Sequence, residues 1–575
     1  MKRKYIAYFI FVTFFLYLFV VYDVNFHGPD EPIYFAYTAS VVEDSDLNVA
    51  NQIDLKHYPH YLTSGKFGVS KTYNLADFHN HAGVILWAPF YVYAKSIYYI
   101  AAKLNLKGLS FNGLDKVTKC AMSFSTIVFG FLALILTYKL CRVFFSNKTA
   151  IWSTLAIFLG TPFFYFILYE VGNSNMVGCL FSILSIWFCS YAIAMKRSHW
   201  FLYGLFFSIC VMIKSELCFQ IFFILFIFIT FAILKQTRWR NGVYFFVGIT
   251  LGFIPRIIND YLKYGTLHVG ELNLFNFRNS YFLEQLFSSY HGFFYTSPIF
   301  YICLLGFILL VANLSKNVKN INEKKIQEIF LLALTSYLFI KIFILSFRCV
   351  WGGGTPGARI LLTEFPVFVL LFAHVFQGQR KYIKYFLGIA SILFILWNWL
   401  IISEYMMGVD LKYITGAPKL GARIATIKNI LPPLFYIKDI DIKLKSCLPL
   451  LPIVFGMTFY ITERFRETNF PVLGYVRSQD RHRSFNTFVL ITIYLYTAYT
   501  VITVLNIYNN KRNVEKLKAD GFFENAKIIG PNEFEKEEVV GSLNEMIDYF
   551  ESRGDTDRVN KIKSYKKEIY GEMDK

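Results

Sequence analysis

Charged side chains are scarce in this chain. They make up 17% of its 575 residues, against roughly 25% in soluble domains, which excludes a water-soluble globule as the main body. Paired cysteines are missing as well. Most of the nine cysteines sit inside apolar stretches (Cys120, Cys179, Cys189, Cys210, Cys303). None has the spacing of a disulfide framework or a zinc site, so buried small hydrophobes are their expected role. The short alternating segments of a β-barrel are lacking. No small-residue cleavage site follows the apolar run Tyr5–Val21 behind Lys2-Arg3-Lys4, so this run reads as an uncleaved first helix rather than a signal peptide.

Grease is what the chain has in quantity: 55% hydrophobic residues, 19% aromatic, mean hydropathy +0.43. Apolar runs fall near residues 5–22, 83–102, 118–138, 150–168, 175–195, 201–218, 219–234, 241–258, 298–314, 327–347, 360–377, 383–402, 447–462 and 486–507. Their lengths suit a hydrocarbon core that takes about 20 helical residues to cross. The expected fold is an all-α polytopic membrane protein. The formal charge of +19 is spread over short inter-helix loops, not gathered on one face, so no nucleic-acid partner is expected.

The basic residues also set the expected topology, because positive loops stay inside. If all fourteen runs cross and the N-terminus is inside, Arg142/Lys148, Lys196/Arg197, Lys235/Arg238/Arg240 and Lys316/Lys319/Lys324/Lys325 fall outside. If the run at 83–102 does not cross, these loops move inside, together with Arg380/Lys381/Lys384 and Arg464/Arg466/Arg477/Arg481/Arg483. That run is a poor span, with His79 and His81 before it, Pro89 and Lys95 within it, and many Tyr and Trp. We read it as a helix along the outer surface. About thirteen crossings result, over residues 1–507, with an outer loop at 23–117. A charged helical tail at 508–575 is expected outside, with Leu543, Met546, Ile547 and Phe550 at helical spacing.

Five polar clusters then share the outer side. The first is Asp30-Glu31-Pro32, where the first helix leaves the membrane, with Tyr34 and Glu43-Asp44-Ser45-Asp46 behind it. Paired carboxylates at a bilayer surface need water, a partner or a task, and a general base able to activate a hydroxyl is one such task. The competing reading is a helix start, with Asp30 as the cap and Glu31 complementing the dipole. The second cluster, Lys66 to His81, offers Lys71, Tyr73, His79 and His81 either to a lipid phosphate or merely to headgroups. His79-x-His81 with Asp77 lacks a third ligand at recognisable spacing. Glu170, Asn173 and Asn175 form the third cluster, which also reads as a helix cap. Lys214-Ser215-Glu216 is the fourth, an intramembrane pair that is either functional or self-neutralising. The fifth runs from Arg348 to Arg359 through Trp351 and three glycines. Its arginines suit phosphate oxygens, its glycines admit close approach, and its indole offers a face for a sugar. Arg256 and Arg278 are further candidates for the same phosphate.

These residues, in this order, resemble the polytopic GT-C glycosyltransferases, in the branch of protein O-mannosyltransferases and the lipid A aminoarabinose transferase. Asp30-Glu31-Pro32-x-Tyr34-x-Ala36 is similar to the signature after the first helix, and Ser40 to Leu47 to the segment that follows it. Tyr295-Thr296-Ser297-Pro298 and Trp351-Gly352-Gly353-x-x-x-Gly357-x-Arg359 resemble later motifs of bacterial members. The chain departs at Asn173-x-Asn175, where many relatives carry Asp or His, and at His79/His81, near the family's Lys-Pro element.

The resemblance implies a GT-C-like fold with interfacial helices in the first outer loop. It also implies transfer of a sugar from a polyprenyl-phosphate-linked donor to an acceptor hydroxyl of a protein, lipid or glycan, with inversion. Asp30 would be the base, Arg348 and Arg359 would hold the phosphate, Glu31 and Tyr34 would orient the sugar, and Trp351 would shape its pocket. Lys71, His79, His81, Asn175 and Arg256 complete the expected binding set. No cofactor is evident, divalent-metal dependence stays open, and membrane lipids are the surroundings. A nucleotide-sugar donor finds no support in the form of a Rossmann-like half or a DxD-type metal motif in a soluble domain. The alternatives are a polysaccharide polymerase or ligase with a polyprenyl-diphosphate donor, and a non-enzymatic lipid or sugar transporter; no internal repeat supports the transporter. A bacterial cytoplasmic membrane is the expected location, with the N-terminus inside and the active loop outside.

Overall fold

In a bilayer core the backbone amides have no water to bond, so apolar runs close their hydrogen bonds within helices. The computed structural model follows that rule. It describes residues 2–25, 30–52, 69–75, 79–104, 115–193, 197–235, 237–266, 275, 280–288, 291–316, 323–348, 357, 359–377, 379–406, 439–465, 478–519, 540, 543–544, 547–548, 551 and 556–570. Among the described residues there is no strand, only two isolated bridges, Val69–Leu75 and Phe275–Arg348.

In chain order the helices are α1 (Lys2–Val21), α2 (Asp30–Glu43), α3 (Val84–Lys103), α4 (Lys116–Phe144), α5 (Asn147–Leu159), α6 (Phe163–Leu168) and α7 (Ser174–Ile193). Next come α8 (Arg197–Ile213), α9 (Gln220–Ile233), α10 (Arg240–Tyr264), α11 (Phe282–Phe287), α12 (Phe293–Thr296), α13 (Phe300–Lys316) and α14 (Glu323–Leu345). The last are α15 (Phe365–Phe376), α16 (Lys381–Met406), α17 (Ile440–Cys447), α18 (Leu451–Arg464), α19 (Ser478–Ala519) and α20 (Thr556–Tyr570). Among the described residues, eight helical stretches are long and apolar enough to cross a membrane, and four shorter apolar helices accompany them. The protein is an all-α polytopic membrane protein.

The core forms around α4 and α7, which are apolar on every side and buried along their length, as helices without a polar face must be. Asp115 caps α4 by accepting the Thr118 amide. Close helix approach depends on small residues. Gly204 of α8 faces Gly248 and Phe245 of α10; a Cβ on Gly204 would strike the Phe245 carbonyl, and one on Gly248 the Phe201 carbonyl.

The run at 150–168 is two helices, α5 and α6. Pro162 stands at the start of α6, and its missing N–H and fixed φ interrupt the ladder. The run at 83–102 forms α3, which is not among the eight membrane-length stretches. It buries Val84, Trp87, Tyr91, Ala94, Tyr98 and Ala101 along one face and exposes Val92, Tyr99 and Ile100.

At the C-terminal end α19 passes 507/508 without a break and runs 42 residues to Ala519. At 1.5 Å per residue it is about 63 Å long, roughly twice the hydrocarbon thickness. Its C-terminal part meets the acidic segment behind α2. Asn506 Oδ1 accepts the Leu47 amide at 3.0 Å, and Asn509 Nδ2 donates to the Ser45 carbonyl at 3.2 Å. Asn513 Nδ2 reaches Asp46 Oδ2 at 2.8 Å, and Lys518 lies 3.6 Å over the Tyr73 ring. Burial raises the Asp46 pKa despite the bonds from Ser40, Asn513 and the Asn48 amide, so the segment depends on those bonds being made.

Replacing Gly248 by Leu should destabilise the α8–α10 contact by about 1–3 kcal/mol, the usual cost of overpacking. The same change at Gly388, which has nothing within 4 Å of a Cβ, should be near neutral. Thermal unfolding in detergent compares the two.

Candidate active site

Asp30 opens α2, where the first-turn amides and the helix dipole favour a negative charge. Its carboxylate is shared between two partners from distant segments. Oδ1 lies 3.3 Å from His79 Nε2, and Oδ2 accepts from Arg359 Nη1 at 3.2 Å. The Asp30 and Arg359 side chains stay 20% and 30% exposed, against 5% for His79. A ligand can therefore reach the carboxylate and the guanidinium, while the imidazole is enclosed. Burial alone would raise the Asp30 pKa. Arg359 first, then His79 and Lys214, outweigh it and hold the carboxyl well below its ordinary range.

One turn along α2, the Tyr34 hydroxyl donates to Ser174 Oγ at 3.0 Å, and its ring meets His79 edge-on at 5.3 Å. Burial, with the Asp30 charge second, keeps that hydroxyl protonated. Ser174, at the start of α7, also accepts from Lys214 Nζ at 3.2 Å, and Lys214 lies 3.4 Å from Glu216. The fourth cluster thus does self-neutralise, and it also touches the site. Beneath it Lys341 Nζ bonds Glu364 at 2.7 Å and Thr363 at 2.9 Å, with both charges fully buried. Sequence reasoning passed over this pair, although a lysine in one apolar run and a glutamate in another carry the signal that would have found it. Ser174, with no such signal, was missed too.

The other expected residues divide. Glu31 is buried near the aromatic pair Tyr165 and Tyr405. Asn175 is buried on the first turn of α7, and its Nδ2 finds no acceptor among the described residues. Arg348 stands half-buried near Glu216. Arg256 is spent on structure: Nε bonds Asp260 and Nη1 bonds Asn80 Oδ1, both at 2.6 Å, which fixes the residue next to His79. His81 faces elsewhere, with ring contacts to Tyr37 at 5.8 Å and Tyr499 at 5.9 Å. Lys71 is exposed on the turn Ser70–Asn74, whose Ser70 hydroxyl bonds the Lys263 carbonyl, and no described contact joins it to Asp30. Trp351, Lys66, Asp77 and Arg278 lie outside the described residues. Among the described residues no group of three or more His, Cys, Asp or Glu is placed to hold a metal ion.

Arg359 owes its position to the segment before it. Gly357 has φ +78°, and a Cβ there would lie 2.5 Å from Pro162 Cγ and 3.3 Å from Thr296 Oγ1. Thr296 belongs to the Tyr295-Thr296-Ser297-Pro298 motif. Asn398 donates to the Thr296 carbonyl and the Ser297 hydroxyl, both at 3.0 Å, and Trp397 donates to the Tyr295 carbonyl at 2.7 Å. The motif is a bracket for the arginine segment.

Residues 110–258 match the family model for dolichyl-phosphate-mannose-protein mannosyltransferase. The match bears out the resemblance to GT-C glycosyltransferases and supports a membrane glycosyltransferase, mannosyltransferase-like; the family itself implies a lipid-linked sugar donor and an acceptor. It spans α4 to most of α10, including Ser174, Asn175, Lys214 and Arg256, and leaves out Asp30, His79 and Arg359. No curated protein and no solved structure matches the chain.

Changing Gly357 to Ala should cost about 1–3 kcal/mol, because an L side chain is strained at this φ and the Pro162 contact closes. Thermal unfolding gives the cost, and activity should fall further than stability because Arg359 is displaced.

Proposed function

We propose that this protein transfers a hexose or pentose from a polyprenyl-phosphate-linked donor to an acceptor hydroxyl at the outer face of a membrane, in one inverting displacement. The supporting observation is the reachable Asp30 carboxylate held between His79 and Arg359, with Lys214 behind it. The acceptor proton passes to Asp30, the acceptor oxygen bonds the anomeric carbon, and the bond from that carbon to the phosphate oxygen breaks. Arg359, assisted by Lys214 and Arg348, meets the charge left on the polyprenyl phosphate. Glu31, Tyr34 and the Asn175 amide orient the sugar. His79 holds Asp30 in place.

The resting arrangement also accounts for when the base becomes active. Paired with Arg359, Asp30 is a weak base. A donor phosphate that draws Arg359 away removes the largest opposition to burial, and the Asp30 pKa rises as the donor arrives. The acceptor class is a protein, lipid or glycan. The active loop and the tail at 508–575 lie outside and the N-terminus inside, in a bacterial cytoplasmic membrane.

Two measurements test this reading. With purified protein and defined polyprenyl-phosphate sugars, Asp30→Asn should lower turnover by about 10²–10⁴-fold, the range for losing a general base, while donor binding persists. Wild-type turnover in that variant would end the assignment. The pH profile supplies a second check. A depressed carboxyl keeps its charge above the ordinary carboxylate range and loses it only well below, so kcat/KM, which reports the free enzyme, should show no Asp30 limb above about pH 4. The kcat profile, which reports the donor complex, should show its acid limb at higher pH, and Arg359→Gln should move the kcat/KM limb upward.

A further inference from the structure

Far along the chain from the Asp30 site, α8, α9 and α10 enclose an apolar slot of about 230 Å³. Trp200, Phe228 and Phe245 form its buried wall. It opens past Ile229, Trp239 and Phe246, all of them strongly exposed, on a surface where this protein faces lipid. Gly242 lines the slot, and a Cβ there would come within 3.1 Å of the Phe228 ring. The space therefore depends on a missing side chain.

Charge gathers at one edge of the slot. Lys235, Arg238 and Arg240 flank the lining residue Trp239 and are exposed, and none of the three side chains has a hydrogen-bond or ion-pair partner among the described residues. Next to Gly242 in sequence, Asn241 is only 5% exposed; its Nδ2 donates to Thr237, and its Oδ1 has no donor among the described residues. A buried acceptor left so costs about 1–3 kcal/mol. An apolar slot, three uncommitted cations and an acceptor in want of a hydroxyl match an acyl chain, a phosphate and a polyol headgroup in turn.

We propose that this slot binds one anionic phospholipid with a hydroxyl-bearing headgroup. Its acyl chain lies against Trp200 and Phe245, its phosphate against Lys235, Arg238 and Arg240, and its headgroup hydroxyl donates to Asn241. The lipid packs on α8, α9 and α10 beside the Gly204–Gly248 contact, to which Phe245 also belongs.

Native mass spectrometry of the full chain, released from nonionic detergent and titrated with phosphatidylglycerol or phosphatidylcholine, tests this. The wild type should keep one phosphatidylglycerol with at least about tenfold preference over phosphatidylcholine. The triple change Lys235→Gln, Arg238→Gln, Arg240→Gln should remove that preference. Each cation contributes about fivefold, roughly 1 kcal/mol, so the single changes Arg238→Gln and Arg240→Gln decide the matter if the triple variant does not fold. Gly242→Leu, which fills the slot, should weaken both lipids. Equal retention of the two lipids by the wild type, or undiminished phosphatidylglycerol retention in the cation variants, would overturn the proposal. Displacement of the lipid by inorganic phosphate at the same concentration would do so too, since it would mark a site for a free anion.

Discussion

A carboxylate at the edge of a bilayer is unstable company for hydrocarbon unless a counter-charge sits beside it. Here that counter-charge comes from 329 residues further along the chain, where Arg359 meets Asp30. Much of the surrounding architecture keeps the two in register. The Thr296–Pro298 bracket and Pro162 leave room only for a glycine at 357 and so aim the arginine. Arg256, bound to Asp260 and Asn80, fixes the chain beside His79, which in turn orients the carboxylate. Tyr34, Ser174 and Lys214 continue the polar line inward to the Lys341–Glu364 pair. Breaking one partner of such a line leaves another charge buried and uncompensated.

The loop that carries Asp30 has a second anchorage, independent of Arg359. Asp46 gathers bonds from Ser40, the Asn48 amide and Asn513, while Lys263 donates to Tyr37 and its carbonyl receives Ser70 and Thr72. The His81 ring, between Tyr37 and Tyr499, joins the loop to α19 within the same layer. One end of the loop thus presents chemistry and the other is clamped. A partly exposed carboxylate can then be held to a narrow geometry without a deep pocket around it.

Fold class was legible because long apolar runs leave a helix bundle as the remaining solution, whereas the break between α5 and α6 was read through, because Pro162 sits inside an otherwise continuous apolar run. Asp30 and Arg359 were legible for a local reason: carboxylates beside proline and arginine beside glycine stand out against an apolar background. Arg256, His81 and Lys71 were read with the same logic, and their contacts are of another kind. Their neighbours, namely Asn80 and Asp260, Tyr37 and Tyr499, and the Lys263 turn, are set by tertiary packing that no spacing rule encodes. Ser174 is the converse case: an ordinary serine at a helix start gains its importance only from Tyr34 and Lys214 arriving together.

The clamp on α19 has a consequence for the order of events in the chain's synthesis. Leu47 and its partner Asn506 are separated by 459 residues. At about 5–20 residues per second, about 20–90 s passes between the making of the first loop and of the helix that completes it. Throughout that interval the Asp46 segment lacks the amides that later satisfy it and remains wet. The clamp is thus a contact that only a chain synthesised as far as α19 can make.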